Sequence, residues 1–156
     1  MKTILLQVGK TVNKHFIAGI DDYVERIGHY MPFDVITIPE LKNAKNLSEE
    51  QQKTAEGELI LRQLQPSDTV VLLDEHGREY RSIEFARRLQ QKQQTARRLI
   101  FVIGGPYGFS PAVYARANEQ LSLSKMTFSH QMIRLTFTEQ IYRACTIIKG
   151  EPYHHE

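Results

Sequence analysis

The chain of 156 residues has one cysteine, no tryptophan and a net charge of only +2. A lone Cys145 cannot close an intramolecular disulfide or build a cysteine-rich zinc site, and it points to a reducing, cytoplasmic setting. Long apolar runs are missing as well. The longest, Leu99 to Ile103, falls far short of the roughly 18 residues that a membrane span requires. The opening Met1-Lys2-Thr3-Ile4-Leu5-Leu6 has no long apolar region and no small-residue cleavage site, so it reads as a first strand rather than a secretory signal. Twenty basic and eighteen acidic side chains nearly cancel, which is too mild a balance to identify a nucleic-acid partner. No repeat, low-complexity tract or linker divides the chain. One domain over residues 1–156 is therefore expected, large enough to bury roughly 70% of its unfolded surface.

Strand and helix patterns alternate from end to end. Thr3 to Val8 is a short apolar run closed by Gly9. Beyond Thr11, taken as an N-cap, Phe16, Ile20, Val24 and Ile27 recur at helical spacing and Gly28 ends the element. Phe33 to Ile38 alternates like a strand and stops at Pro39. Glu40 to Thr54 is polar and without apolar period, so a mobile segment is expected there, with the next helix settling near Ala55. Thr69 to Leu73 is β-branched and leucine-rich, ended by Asp74-Glu75, and Ser82 is placed to cap a helix carrying Ile83, Ala86 and Leu89. Leu99 to Ile103 is apolar at every position, as in a parallel strand covered by helices on both faces. Ser110-Pro111 reads as N-cap and N1 of a short helix to about Asn118. Alternation from Leu121 to Met126 predicts a fifth strand, and a last helix runs from about Gln131 to Ile148. The fold class is α/β, a parallel-rich sheet flanked by helices.

Gly104-Gly105-Pro106-Tyr107-Gly108 follows the fourth strand, where open parallel sheets bind ligands. The spacing fits neither a dinucleotide fingerprint nor a phosphate loop, and Gly9-Lys10-Thr11 lacks the leading glycine of the latter. In a parallel sheet, Leu72-Leu73-Asp74, Ile103-Gly104-Gly105 and Leu123-Ser124-Lys125-Met126 would all lie on the carboxyl edge, with backbone groups and apolar walls suited to an adenosine-like ligand. On the last helix, Ile133, Phe137, Ile141, Ala144 and Ile148 form an apolar stripe opposite Thr136, Glu139, Arg143 and Thr146. The polar stripe reads equally well as a solvated face. Leu135 and Tyr142 form a flanking strip open to a partner subunit. The adjacent His154 and His155 have no convergent ligands and are not read as a metal site, and His130 reads as a capping or structural histidine. Arg87, Arg88, Lys92, Arg97 and Arg98 are the densest basic patch, either a solvated face or a phosphate footprint.

Three strings together are more specific: Phe101-Val102-Ile103-Gly104-Gly105-Pro106-Tyr107-Gly108; Leu121 through Arg134, with its Ser124-Lys125-Met126 and His130-Gln131-Met132; and Glu139-Gln140-Ile141-Tyr142-Arg143-Ala144 with Lys149-Gly150-Glu151-Pro152-Tyr153-His154. They closely resemble the ribosomal RNA large subunit methyltransferase H family of the SPOUT class, over the whole chain. One departure is Ser129, where family members often carry proline. The resemblance implies a homodimer that methylates N3 of a pseudouridine in 23S rRNA of the assembled ribosome, with S-adenosylmethionine as donor and neither membrane nor DNA as partner. It also implies a deep trefoil knot, with residues from about 69 to 156 as the knotted cofactor-binding part. Carried over by position, Leu73, Gly104, Leu123, Ser124, Lys125, Met126, Thr127 and Phe128 would hold the cofactor, and Glu139, Arg143, Tyr153 and His154 would place the target base. The competing expectations are a non-catalytic RNA-binding protein and an enzyme acting on a small nucleotide without RNA.

Overall fold

A computed structural model describes all 156 residues. The elements are β1 Lys2–Val8, α1 Lys14–Gly28, β2 Phe33–Ile38, α2 Glu49–Arg62, β3 Thr69–Glu79, α3 Ser82–Thr95, β4 Arg98–Ile103, α4 Pro111–Arg116, β5 Glu119–Ser122 and α5 Met132–Lys149. The five strands form one sheet in the order β2-β1-β4-β3-β5, and every pairing is parallel. The all-apolar reading of β4 follows from this arrangement. Leu99, Phe101 and Ile103 point into one core, which Phe137, Ile141 and Ala144 of α5 complete. Ile100 and Val102 point into a second core, closed by Ile60 of α2 and by Phe109 and Val113 beside and within α4.

Four boundaries differ from expectation, each for a local reason. Asn13, not Thr11, caps α1, its side chain accepting from the amides of His15 and Phe16. The polar stretch before Ala55 is already helical from Glu49, because Ser48 and Gln51 form a reciprocal capping box that needs no apolar period. Ser82 is the first residue of α3 rather than its cap; Glu84 accepts from the Arg81 amide. The fifth strand ends at Ser122, and Leu123 to Phe128, which alternation placed partly in the strand, are loop. Its partner β3 runs on past Leu73 to Glu79, with an irregularity between Leu73 and Arg78.

The strip of Leu135 and Tyr142, expected to face a partner subunit, is covered by α1 and its exit. Leu135 Cδ1 would lie 2.8 Å from a Cβ added at Gly19. Tyr142 packs on Tyr23 and Tyr30, with ring centroids 5.8 and 6.1 Å away. Cys145 is buried and unpaired, and burial lifts its thiol pKa to about 12, so it serves packing. No helix is long and apolar enough to cross a membrane.

Candidate active site

The carboxyl ends of β3 and β4, the glycine turn and the loop after β5 enclose a cleft of about 550 Å³, within the range of small-molecule sites. Seven of the eight residues expected to hold the cofactor line it: Leu73, Gly104, Leu123, Ser124, Met126, Thr127 and Phe128. Lys125 does not, and is exposed. The loop holds its shape by local hydrogen bonds. Ser122 Oγ donates to the Ser124 carbonyl at 2.9 Å, and Ser124 Oγ accepts from the Met126 amide at 2.9 Å. Thr127 Oγ1 donates to Glu75 Oε2 at 2.9 Å, tying the loop across the cleft to β3. Ser129, the departure from the family pattern, accepts from the Met132 amide through Oγ at 3.0 Å and so serves the start of α5.

The glycine turn is shaped by the protein's own packing. A Cβ on Gly104 would stand 2.9 Å from the Phe109 ring, and one on Gly105 would collide with the Glu56 carboxylate. Gly108 has φ +81°, which favours glycine. Glu56 is buried, and that burial raises its pKa; Glu40 adds to the rise, while a hydrogen bond from Gln52 and the charge of His130 oppose it.

The ionisable lining of the cleft is Glu49, Asp74, Glu75, His76 and His130, with the phenol of Tyr107 and Tyr114 and no lysine or arginine. Burial pushes the Asp74 carboxyl up, but hydrogen bonds from the Tyr114 hydroxyl and the His76 amide hold it below its ordinary value. Tyr114, desolvated and bound to that carboxylate, is pushed up to about 12. A cleft with acidic and apolar walls suits a cationic ligand bearing an apolar ring system. It does not suit a polyphosphate.

The four residues expected to place the target base also come together, at a different place. Arg143 Nη2 donates to Glu139 Oε1 at 2.7 Å, and the Tyr153 hydroxyl donates to the same oxygen at 2.9 Å. Arg143 Nη1 lies 3.0 Å from His154 Nδ1, and the guanidinium stands 4.8 Å from the centre of the Tyr153 ring. A guanidinium only donates, so this contact makes Nδ1 the acceptor and leaves the proton of neutral His154 on Nε2. The polar stripe of α5 is therefore not a solvated face. The tail folds back over Glu139 and Arg143, and Thr146 is fully buried.

Sequence reasoning missed Arg134, which is fully buried and has no carboxylate partner. Its Nη1 donates to the Gly9 carbonyl at 2.9 Å and to Thr11 Oγ1 at 3.0 Å, and its Nη2 donates to the Val8 carbonyl at 2.7 Å. The signal was present: Arg134 stands three and seven residues before Phe137 and Ile141, on the buried face of α5.

Comparisons with known proteins identify the family. The model of the SPOUT methyltransferase family matches residues 1–154. Over the full length of both chains, this protein is 64% identical to the ribosomal RNA large subunit methyltransferase H of Phocaeicola vulgatus and 62% identical to that of Bacteroides fragilis. The counterpart of Porphyromonas gingivalis is 58% identical, again over the whole of both chains. Among solved structures, a probable methylase family protein from Haemophilus influenzae superposes with a TM-score of 0.52 at 11% identity, covering 99% of this chain and 70% of that one, a likeness of fold. The chain belongs to the SPOUT methyltransferase family.

Proposed function

We propose that this methyltransferase transfers a methyl group from S-adenosylmethionine to N3 of a pseudouridine in 23S rRNA, on the assembled ribosome and in the cytoplasm. One observation carries the reading: in a chain 64% identical to a ribosomal RNA large subunit methyltransferase H, seven of eight expected cofactor residues line one cleft. The walls of that cleft fit the donor. S-adenosylmethionine brings an activated methyl group on a positive sulfonium, so the protein's task is alignment of sulfur, methyl and attacking nitrogen. Acidic Glu49, Asp74 and Glu75 favour the cation, and Leu73, Leu123 and Phe128 offer apolar surface to the adenine. The loop from Leu123 to Phe128, with Lys125 contributing backbone, is the cofactor loop of this reading. Residues from about 69 to 156, in which β5 pairs with β3 after the chain has formed β4, are proposed to form the knot.

At the substrate end, N3 of the base bears a proton that must leave before or during attack. Glu139 is a poor acceptor for it. Its Oε1 takes bonds from Arg143 and Tyr153, and its Oε2 takes one from Gln140 at 2.9 Å. Arg143 and the Nε2–H of His154 act instead as donors to negative charge developing on the imide oxygens, which eases loss of the proton to solvent water while the methyl donor leaves as neutral S-adenosylhomocysteine.

Within one chain the two groups stand apart. Ile133 lines the cleft, and Arg143 follows ten residues later on the same helix, about 15 Å along its axis. Methyl transfer needs reacting atoms about 3–3.5 Å apart. A homodimer in which one subunit's tail meets the other's cleft supplies that approach. The test is transfer of labelled methyl from S-adenosylmethionine to ribosomes lacking the modification, with free 23S rRNA and small subunits as controls, beside light scattering of the enzyme. Transfer to intact ribosomes by a dimer is expected. Methylation of small subunits, or a monomer that is fully active, would overturn the reading.

A further inference from the structure

Cations stand at both edges of the sheet, but their surroundings differ. Toward the edge where strands begin, Lys2 pairs with Asp34 at 2.5 Å and Arg98 with Asp68 at 2.9 Å, while Arg88 and Lys92 share Glu119 at 2.8 and 2.5 Å. Three members of the densest basic patch in the sequence are thus neutralised inside the chain. Arg87 and Arg97, the other two members, are exposed and have no carboxylate partner, but they lie away from the cleft. At the edge where strands end, the unpaired cations follow the strands that lead to the cleft or its rim. Lys10 and Lys14 follow β1, Lys42 and Lys45 follow β2, and Lys125 follows β5; all five are exposed. None has a carboxylate within 4.0 Å.

The parallel topology gathers these lysines around the cleft, because every strand-to-helix connection leaves the sheet on that edge. Two observations bring Lys10 and Lys45 near it. Gln131, next to the cleft residue His130, donates through Nε2 to the Lys10 carbonyl at 3.1 Å and accepts from the Val12 amide at 2.8 Å. Glu49, four residues after Lys45, lines the cleft itself. The β1–α1 loop is also held rigid. Besides Gln131, buried Arg134 bonds Val8, Gly9 and Thr11, so Lys10 and Lys14 are presented with little ordering left to do on binding.

Acidic walls inside and unpaired lysines outside divide the labour. A polyanion is kept out of the cleft and held at its rim, where lysines act as point charges on phosphates without reading bases. We infer that Lys10, Lys14, Lys42 and Lys45, with Lys125 beside them, form the seat on which the sugar-phosphate backbone of folded RNA rests while the target base enters the cleft. This rests on the methyltransferase reading above, and it moves the RNA footprint away from Arg87, Arg88, Arg97 and Arg98.

The experiment measures binding to large ribosomal subunits by co-sedimentation between about 50 and about 200 mM salt, where each lost phosphate contact flattens the slope of log K against log salt by about 0.7–0.9. Lys10→Ala/Lys14→Ala and Lys42→Ala/Lys45→Ala are each expected to flatten it by about 1.5. Calorimetry with S-adenosylmethionine and thermal melting confirm that each variant is folded. Arg87→Ala/Arg97→Ala, on exposed cations away from the rim, is expected to leave the slope in place. Unchanged slopes in both rim variants, or an equal loss in the arginine control, would overturn the seat. Methyl transfer by the wild-type enzyme is scored in parallel. Flattened slopes without any transfer would keep the seat and remove the reaction; transfer with unmoved slopes would remove only the seat.

Discussion

The cleft and the Arg143 cluster are built on opposite plans. The cleft is backbone and wall: strand ends, a glycine turn and a loop whose side chains hydrogen-bond mostly to their own neighbours. Its carboxylates Glu49, Asp74 and Glu75 have no lysine or arginine partner. The cluster is side chain throughout, and its carboxylate Glu139 is saturated by Arg143, Tyr153 and Gln140. Burial, with Tyr23 nearby and the hydrogen bond to Glu139, raises the pKa of the Tyr153 phenol, so it stays a donor. One region is a negative vessel awaiting a cation. The other is a set of donors tied to one another, with His154 Nε2 left without a hydrogen-bond partner, that can turn toward new negative charge. On the proposed reading, binding falls to the first and chemistry to the second.

That assignment breaks most sharply at Arg143. Arg143→Ala is expected to lower single-turnover methyl transfer by about 10²–10³, the usual loss of one preorganised donor to developing charge, while calorimetric affinity for S-adenosylmethionine moves less than about twofold. A matching loss of cofactor binding would place Arg143 in the cleft's half of the site. Gly104→Val should do the reverse. Its side chain would press on Phe109, whose ring stands 2.9 Å from the position of the first added carbon, and close the vessel from within. Cofactor affinity is expected to fall tenfold or more, about 1.4 kcal/mol, with the melting temperature reported alongside; undiminished affinity would exclude the turn from the site.

A smaller effect sharpens the charge argument. Glu75→Gln retains an oxygen to accept from Thr127 but removes one negative charge from the wall. S-adenosylhomocysteine lacks the sulfonium charge of the donor, so the variant is expected to weaken the donor more than the product. A narrowing of their affinity ratio by about 2–5-fold, or 0.4–1 kcal/mol, corresponds to a partly exposed charge pair. Equal weakening of both ligands would show that the wall acts by shape alone.

Much of this was legible in the sequence, for reasons that can be named. β4 was plain because from Leu99 to Ile103 alternate residues feed two separate cores, and all five are buried and apolar. The convergence of Leu73, Gly104 and Leu123 followed from the parallel sheet alone. What escaped was structure made by single polar contacts. The start of α2 depends on two side-chain bonds between Ser48 and Gln51. The loop after Ser122 alternates like a strand yet is held by serine hydroxyls. The basic patch looked free because Asp68 and Glu119 are distant from it in sequence and adjacent in space. Arg134 was overlooked because an arginine whose two terminal nitrogens bond only neutral oxygens around the β1–α1 turn has no charge partner to announce it.

The gentlest test of the comparison concerns Glu56, the buried carboxylate behind the glycine turn. Unlike Glu139 it has no cation in hydrogen-bonding range; Gln52 donates to it at 3.1 Å. Burial is the main cause of its raised pKa, with Glu40 adding to the rise and Gln52 and the more distant His130 opposing it. The folded state thus holds this proton more tightly than the unfolded state does. The resulting stabilisation is complete below the ordinary carboxylate value and is lost as pH rises through the folded value. Above that window the ionised group is a burden that a neutral isostere does not carry, and the Gln52 bond survives in Glu56→Gln because the amide keeps an oxygen. Urea unfolding of wild type and variant across mildly acidic to neutral pH should show a gap in favour of the variant that widens with pH and then levels off. A gap that does not change with pH would mean that Glu56 is compensated in the native state as fully as Glu139, and the contrast between the two carboxylates would be lost.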